Sequence, residues 1–133
     1  DNLCAYLKEY VYESTDSLPV CVQVDFPDSI PKISMGHSVR QQLMLVTKEA
    51  INNVLKYSKA SQLYFSLSID RGYILFTIKD NGAGFDTAMT IQPRNGKKNG
   101  LSNMKTRMEA IGGYFVITSA PGAGTEIDFG IPV

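Results

Sequence analysis

The amino-acid sequence predicts an α/β (α+β) two-layer sandwich, with one mixed, mostly antiparallel sheet of about five strands and three helices on one face. Three observations point there. Apolar residues recur every three or four positions in three separate stretches, the spacing of a helix face. Apolar and polar residues alternate in five others, the spacing of half-buried strands. The two kinds of stretch follow the order αβαββ, a long loop, then αββ, with strand pairs close enough in sequence to form hairpins.

Each element follows from its residues. "DNLCAYLKEYVYES" sets Leu3, Leu7, Tyr10 and Val11 on one helix face, with Asp1 or Asn2 available as a cap. "PVCVQVDFP" alternates Val20, Val22, Val24 and Phe26 against polar partners between two prolines, which reads as a half-buried strand. "PDSIPKISMG" is a loop by its prolines and glycine. From Ser38 to Tyr57 runs the longest helical pattern, carried by Val39, Leu43, Val46, Ala50 and Val54. "SQLYFSLSID" and "GYILFTIKD" alternate as strands and meet at Asp70-Arg71-Gly72, a hairpin. Residues 81–99 have no period and hold Gly82, Gly84, Pro93 and Gly96. A loop this long inside a compact domain is usually functional. "GLSNMKTRMEAIGG" places Leu101, Met104, Met108 and Ile111 at helical spacing and stops at two glycines. "YFVITSA", the turn "PGAG" and "TEIDFGIPV" form a second hairpin, and no repeat or low-complexity segment appears.

Length and composition bound the function. The 133 residues fit a single domain, 1–133. A domain of that size buries roughly two-thirds of the surface its unfolded chain exposes. With 44% hydrophobic and 20% charged residues the chain reads as soluble and globular. Thirteen basic residues balance thirteen acidic ones, so there is no electrostatic case for nucleic acid or a membrane surface as partner. No apolar run approaches the ~20 residues of a membrane span. The start shows no signal peptide and reads as a cut inside a helix, so the chain is expected to be a fragment of a longer protein. Cys4 and Cys21 form no CxxC and are expected to be reduced core cysteines. His37 is the only histidine and reads as a surface residue, which excludes a histidine-rich metal site and any Ser-His-Asp or Cys-His centre.

Three places carry chemistry. On the long helix, at 100° per residue, Glu49, Asn53 and Lys56 share a strip about 60° wide beside the core face. Glu49 and Asn53, four apart, meet side by side. An acid, an amide and a lysine at a cleft edge suit a hydrated cation and a polyanion, although a solvated face would look the same. Asn52 points to solvent on this wheel. The second place is "KDNGAGFD", where Ile74, Phe76 and Ile78 lead straight to Asp80 at a strand end. Its ionised carboxylate only accepts hydrogen bonds and suits an exocyclic amine such as adenine's. Gly82 and Gly84 let a ligand lie against the backbone. Asp and Asn making local bonds in a tight turn is the structural alternative. The third place is the long loop, in which Arg94, Lys97 and Lys98 outweigh Asp86. The loop runs through "KKNGLSNM" into a helix N-terminus that favours an anion. Neither GxxxxGK[ST] nor a strand–GxGxxG–helix occurs.

These signals fall in one order. "KEAINNVLKYSKA", "DNGAGF", "NGLSNMKTRMEAIGG" and "GAGTEIDFGIP" resemble the N box, two glycine boxes and threonine strand of the GHKL (Bergerat-fold) ATPases, across residues 38–132. Within that superfamily the chain resembles the ATP-binding catalytic domain of the sensor histidine kinases of two-component systems. The "GLSNM" box and short lid resemble the subclass paired with response regulators of the helix-turn-helix output type. The resemblance implies ATP and Mg²⁺ as cofactors. It implies Glu49 near the triphosphate and its bound water, Asn53 as the Mg²⁺ ligand, and Lys56 near the phosphates. It implies Asp80 on the adenine amino group, Gly82 and Gly84 shaping its pocket, Asn99 and Gly100 by the phosphates, and Thr125 helping Asp80, partly through water. The family usually has histidine where Tyr57 stands.

The phosphoacceptor histidine is expected on a separate dimerising helical domain of the same protein, making the intact kinase a homodimer that passes phosphate indirectly to a response regulator. The parent is expected to be a membrane-bound sensor with this domain in the cytoplasm and making no membrane contact of its own. The alternatives are another GHKL ATPase of the chaperone or topoisomerase type, a serine kinase acting on an anti-anti-sigma protein, or a degenerate regulatory domain that keeps the fold without using ATP.

Overall fold

The computed structural model describes residues 3–27, 36–57, 60–82 and 100–132, with the backbone alone for residues 56–57 and 100–102. Helices α1 (Leu3–Thr15), α2 (His37–Tyr57) and α3 (Gly100–Ala110) accompany strands β1 (Cys21–Asp25), β2 (Gln62–Asp70), β3 (Tyr73–Asp80), β4 (Tyr114–Ser119) and β5 (Thr125–Pro132). The strands form one sheet in the order β1-β2-β3-β5-β4. β1 runs parallel to β2, and the other neighbours are antiparallel. This is the mixed sheet and three-helix sandwich that the periodicities predict.

The β2–β3 hairpin closes through two residues with positive φ, Arg71 at 53° and Gly72 at 80°. Positive φ at both central positions is the signature of a primed turn, whose twist matches that of the strands. Asp70 therefore pairs directly with Tyr73, and that register puts Leu63 opposite Asp80. α3 ends as its two glycines predict. Gly112, at φ 83°, donates its N–H to Glu109 O (3.1 Å), and Gly113 N–H reaches Met108 O (2.8 Å).

Strand alternation sends Leu63, Phe65 and Leu67, Ile74, Phe76 and Ile78, and Ile127, Phe129 and Ile131 into one core with the apolar stripes of the helices. Phe76 and Phe129, paired in register, stack at 4.8 Å, and Phe26 meets Phe65 edge-on at 5.0 Å. Thr47, fully buried in α2, is satisfied by donating to Leu43 O at 2.8 Å.

α1 packs on α2 with a constant offset of 42 residues, so the two helices run parallel. Tyr10 donates to Asn52 Oδ1 (2.9 Å), and Lys48 Nζ donates to the Tyr6 hydroxyl (3.1 Å) while lying 5.2–5.3 Å from the Tyr6 and Tyr10 ring centroids. Asn52 is exposed, as its wheel position predicts, yet it anchors α1. His37 is exposed too. The expectation of two core cysteines holds only in part. Both are free, but Cys4 is half-buried and Cys21 is exposed, because alternation turns Cys21 away from the side that takes Val22 and Val24. Among the described residues no helix is long and apolar enough to cross a membrane.

Candidate functional site

Chain connectivity gathers the candidate residues at one end of the sheet. Asp80 closes β3 and pairs with Leu63 near the start of β2 and with Thr125 at the start of β5. Thr125 in turn pairs with Ser119, the last residue of β4. A single row, Leu63–Asp80–Thr125–Ser119, thus crosses the sheet on the side of the buried core residues. α2 ends at Tyr57, a few residues before β2 begins, so its C-terminal half lies at this same end. α3 leads back into the sheet at Tyr114, which pairs with Gly130 near the other end, so α3 starts at the Asp80 end and runs away from it. The two helices are therefore antiparallel, and Arg107 Nη1 donates to Gln42 Oε1 at 3.0 Å where their distal halves meet. Gln42, Glu49 and Asn53 fall within about 40° on the helix wheel. The Glu49–Asn53 strip therefore lies on the α3 flank of α2, opposite the flank held by α1. Glu49 is exposed and Asn53 half-buried.

Asp80 is the unusual residue in this row. It is only 5% exposed, and so is Thr125. Its Oδ1 accepts the Gly82 N–H at 2.7 Å, while its buried Oδ2 has no partner among the described residues. Burial pushes the carboxyl above its ordinary range, against the opposing pull of the Gly82 and Thr125 backbone N–H groups. A buried acceptor left unpaired is costly. It fits a ligand that brings a donor.

The surrounding backbone is built to match. Gly124 sits at φ 75°, and a Cβ there would collide with the Asp80 carbonyl oxygen. Only glycine lets the β4–β5 turn close so tightly on the end of β3. Ser119 Oγ lies 2.9 Å from Thr125 Oγ1 and donates to Gly124 O at 2.9 Å. The Asn of "DNG" has a structural job. Asn81 Oδ1 accepts the Ser61 and Gln62 N–H groups (3.0 and 2.9 Å), and its Nδ2 donates to Ser61 Oγ, so it ties the end of β3 to the start of β2.

The structure thus brings Glu49, Asn53, Asp80, Gly82, Gly100 and Thr125 to one end of the fold. Gly84 and Asn99 lie outside the described residues, as does the Lys56 side chain. Ser119 and Asn81 are contributors that reading the sequence missed. Ser119 could have been found as the residue directly opposite Thr125 across the β4–β5 hairpin. On the helix-free side of the sheet, Gln23, Gln62, Tyr64 and Lys79 help line a groove of about 410 Å³ that Asp80 and Asn81 also border.

Known proteins resemble this arrangement. The architecture, with its polar row at one sheet end beneath two antiparallel helices, defines the class. Residues 38–133 match the model of the histidine kinase-, DNA gyrase B- and HSP90-like ATPases, and the chain belongs to that family. A sensor protein VraS of Staphylococcus saprophyticus is 32% identical over 128 residues, 96% of this chain and 34% of that protein. The sensor histidine kinase LiaS of Bacillus subtilis is 30% identical over 127 residues, with the same two coverages of 96% and 34%. The chain therefore spans about a third of the length of these relatives. Among solved structures, the Acinetobacter baumannii histidine kinase AdeS superposes with a TM-score of 0.76 at 20% identity, covering 96% of this chain and 64% of that one. The histidine kinase domain of a blue-light activated kinase from Erythrobacter litoralis gives 0.76 at 17% identity, covering 98% and 60%. These likenesses show the same fold.

Proposed function

We propose that this chain is the ATP-binding catalytic domain of a two-component sensor histidine kinase, which donates the γ-phosphate of ATP to a histidine on a separate helical domain of the same protein. One observation carries the assignment of the site. The buried Oδ2 of Asp80, without a partner among the described residues, is an acceptor that adenine's amino group would satisfy, in a family of ATPases. Asp80 and Thr125 hold the base, and Gly82 and Gly84 let it lie against the backbone. The N-terminus of α3, which starts at Gly100, receives phosphate oxygens through its first N–H groups, and Asn99 contributes to the same phosphate contacts.

Mg²⁺ keeps several waters and takes only one or two protein ligands beside substrate phosphates. The half-buried amide oxygen of Asn53 is a donor of that limited kind. When bound, the ion neutralises charge on the phosphates. Glu49 orients the water next to them, and Lys56 adds positive charge. Where the family usually has histidine, Tyr57 offers a hydroxyl and no charge. In the intact protein this domain stands in the cytoplasm below a membrane-bound sensor, the acceptor domain makes the homodimer, and a response regulator takes the phosphate onward.

Calorimetric titration of ATP, with and without Mg²⁺, tests the reading. The isolated domain should bind ATP in the micromolar to submillimolar range, with negligible phosphotransfer of its own. Asn53→Ala should abolish the Mg²⁺ dependence of affinity. An affinity that ignores both Mg²⁺ and Asp80→Asn would remove the assignment.

A further inference from the structure

Three hydroxyl or carboxyl side chains stand side by side in the row that ends the sheet, and their hydrogen bonds have a direction. Ser119 Oγ has one proton and donates it to the Gly124 carbonyl oxygen at 2.9 Å, an acceptor that cannot donate in return. The 2.9 Å contact between Ser119 Oγ and Thr125 Oγ1 must then run the other way, with Thr125 as donor. Once its single proton is committed to Ser119, Thr125 Oγ1 has only lone pairs left to offer. Asp80, its cross-strand partner on the same face, presents an Oδ2 that has no partner among the described residues and also only accepts. Thr125 and Asp80 are each 5% exposed, so water does little to blur this polarity. The two side-chain oxygens that this corner offers a ligand therefore both accept.

We propose that Ser119 is a specificity-determining positioning residue: by holding the Thr125 hydroxyl as an acceptor, it makes the site select a 6-amino purine over a 6-oxo purine. The inference rests on the adenine reading of Asp80 given above. An exocyclic amine brings two N–H donors to two acceptors, whereas a 6-oxo group brings lone pairs against lone pairs. A site that leaves buried polar groups unpaired rejects the wrong ligand strongly. Ser119 touches neither the base nor the phosphates in this scheme and acts through Thr125. Without Ser119, the Thr125 hydroxyl is released to rotate and donate to a 6-oxo group.

The test titrates ATP and inosine triphosphate, a 6-oxo probe, into the wild-type domain, Ser119→Ala and Ser119→Thr. The readout is the ratio of the two affinities within each protein, which general loss of folded protein does not move. Wild type should prefer ATP. Ser119→Ala should narrow that preference about five- to tenfold, mainly by improved binding of the inosine nucleotide. Ser119→Thr, which keeps the hydroxyl, should retain the wild-type ratio. Should alanine prevent folding, Ser119→Cys, with its weak thiol, should narrow the ratio in its place. An unchanged ratio in Ser119→Ala, or an equal loss for both nucleotides, overturns the role of Ser119 while leaving Asp80 as the adenine reader. A wild-type domain with no preference overturns the adenine reading, and this inference with it.

Discussion

Replacing Asp80 by asparagine should make the empty domain more stable and the nucleotide-binding domain worse at its task. The wild-type carboxylate is 5% exposed, with Oδ1 held by Gly82 and Oδ2 unpartnered among the described residues. Leaving a buried charged acceptor unpaired costs about 2–3 kcal/mol. Asparagine keeps an oxygen for the Gly82 N–H, but the bond is no longer charge-assisted and loses about 1 kcal/mol. Its Nδ2 is expected to donate to the lone pairs of Thr125, the cross-strand neighbour, and so adds no unpaired donor. The balance favours asparagine by about 1–2 kcal/mol at pH 7, which for a domain of this size raises Tm by roughly 3–6 °C. The pH dependence fixes the sign. Burial raises the carboxyl above its ordinary value of 3.8, so the folded state binds this proton more tightly than the unfolded chain. The stability that the group contributes is complete below the unfolded value and is lost as pH rises through the folded one. Asparagine has no such loss, so its advantage should grow as pH rises through the folded value and fade as pH falls toward 3.8. Thermal melts from pH 3 to 8 without nucleotide measure this directly. Calorimetry should show ATP affinity falling about 10- to 100-fold, the worth of a hydrogen bond to a charged group. A variant less stable than wild type at pH 7 would mean that the carboxylate is already satisfied in the folded protein, and the reasoning would fail.

Other perturbations test the frame around the site. Gly124→Ala forces a side chain into φ 75° and against the Asp80 carbonyl, and should cost about 1–3 kcal/mol, read as a lower Tm. Phe129→Ala removes a fully buried ring stacked on Phe76, and should lower stability by about 3–5 kcal/mol in denaturant unfolding. Tyr10→Phe removes only the hydroxyl that donates to Asn52, and should cost about 0.5–1 kcal/mol. Because both changes delete the same bond, adding Asn52→Ala should cost less than the sum of the two.

The long periodic elements were legible in the sequence. α2 spans His37–Tyr57 against a pattern read from Ser38 to Tyr57, and the Asp70-Arg71-Gly72 turn closes where glycine allowed. The strand order was not legible, because a β4–β5 hairpin can join the sheet by either strand. β5 takes the inner place, and Thr125, Ile127, Phe129 and Ile131 along it are all buried. Asp80 could be singled out as a carboxylate at a strand end before two glycines. Ser119 emerges only once the β4–β5 hairpin is put in register, and Asn81 acts across to the start of β2, which the separate runs of residues do not encode. Asn52 was placed toward solvent correctly, but the α1–α2 offset that gives it Tyr10 as a partner is a fact of tertiary packing. Cys21 shows the reverse error. Residue type suggested the interior, while the alternation of Val20, Val22 and Val24 already placed it on the other side.

The family match begins at residue 38, but the hydrophobic interior does not. Leu3, Leu7 and Val11 are buried, Phe26 covers Phe65, and β1 hydrogen-bonds along β2 from Cys21 to Asp25. A protein trimmed to the signature stretch would carry every ATP-site candidate named here, yet it would leave β2 with a bare, pairing-competent edge of the kind that drives aggregation. The border of the recognisable ATPase motif and the border of the cooperative folding unit are different lines along this polypeptide.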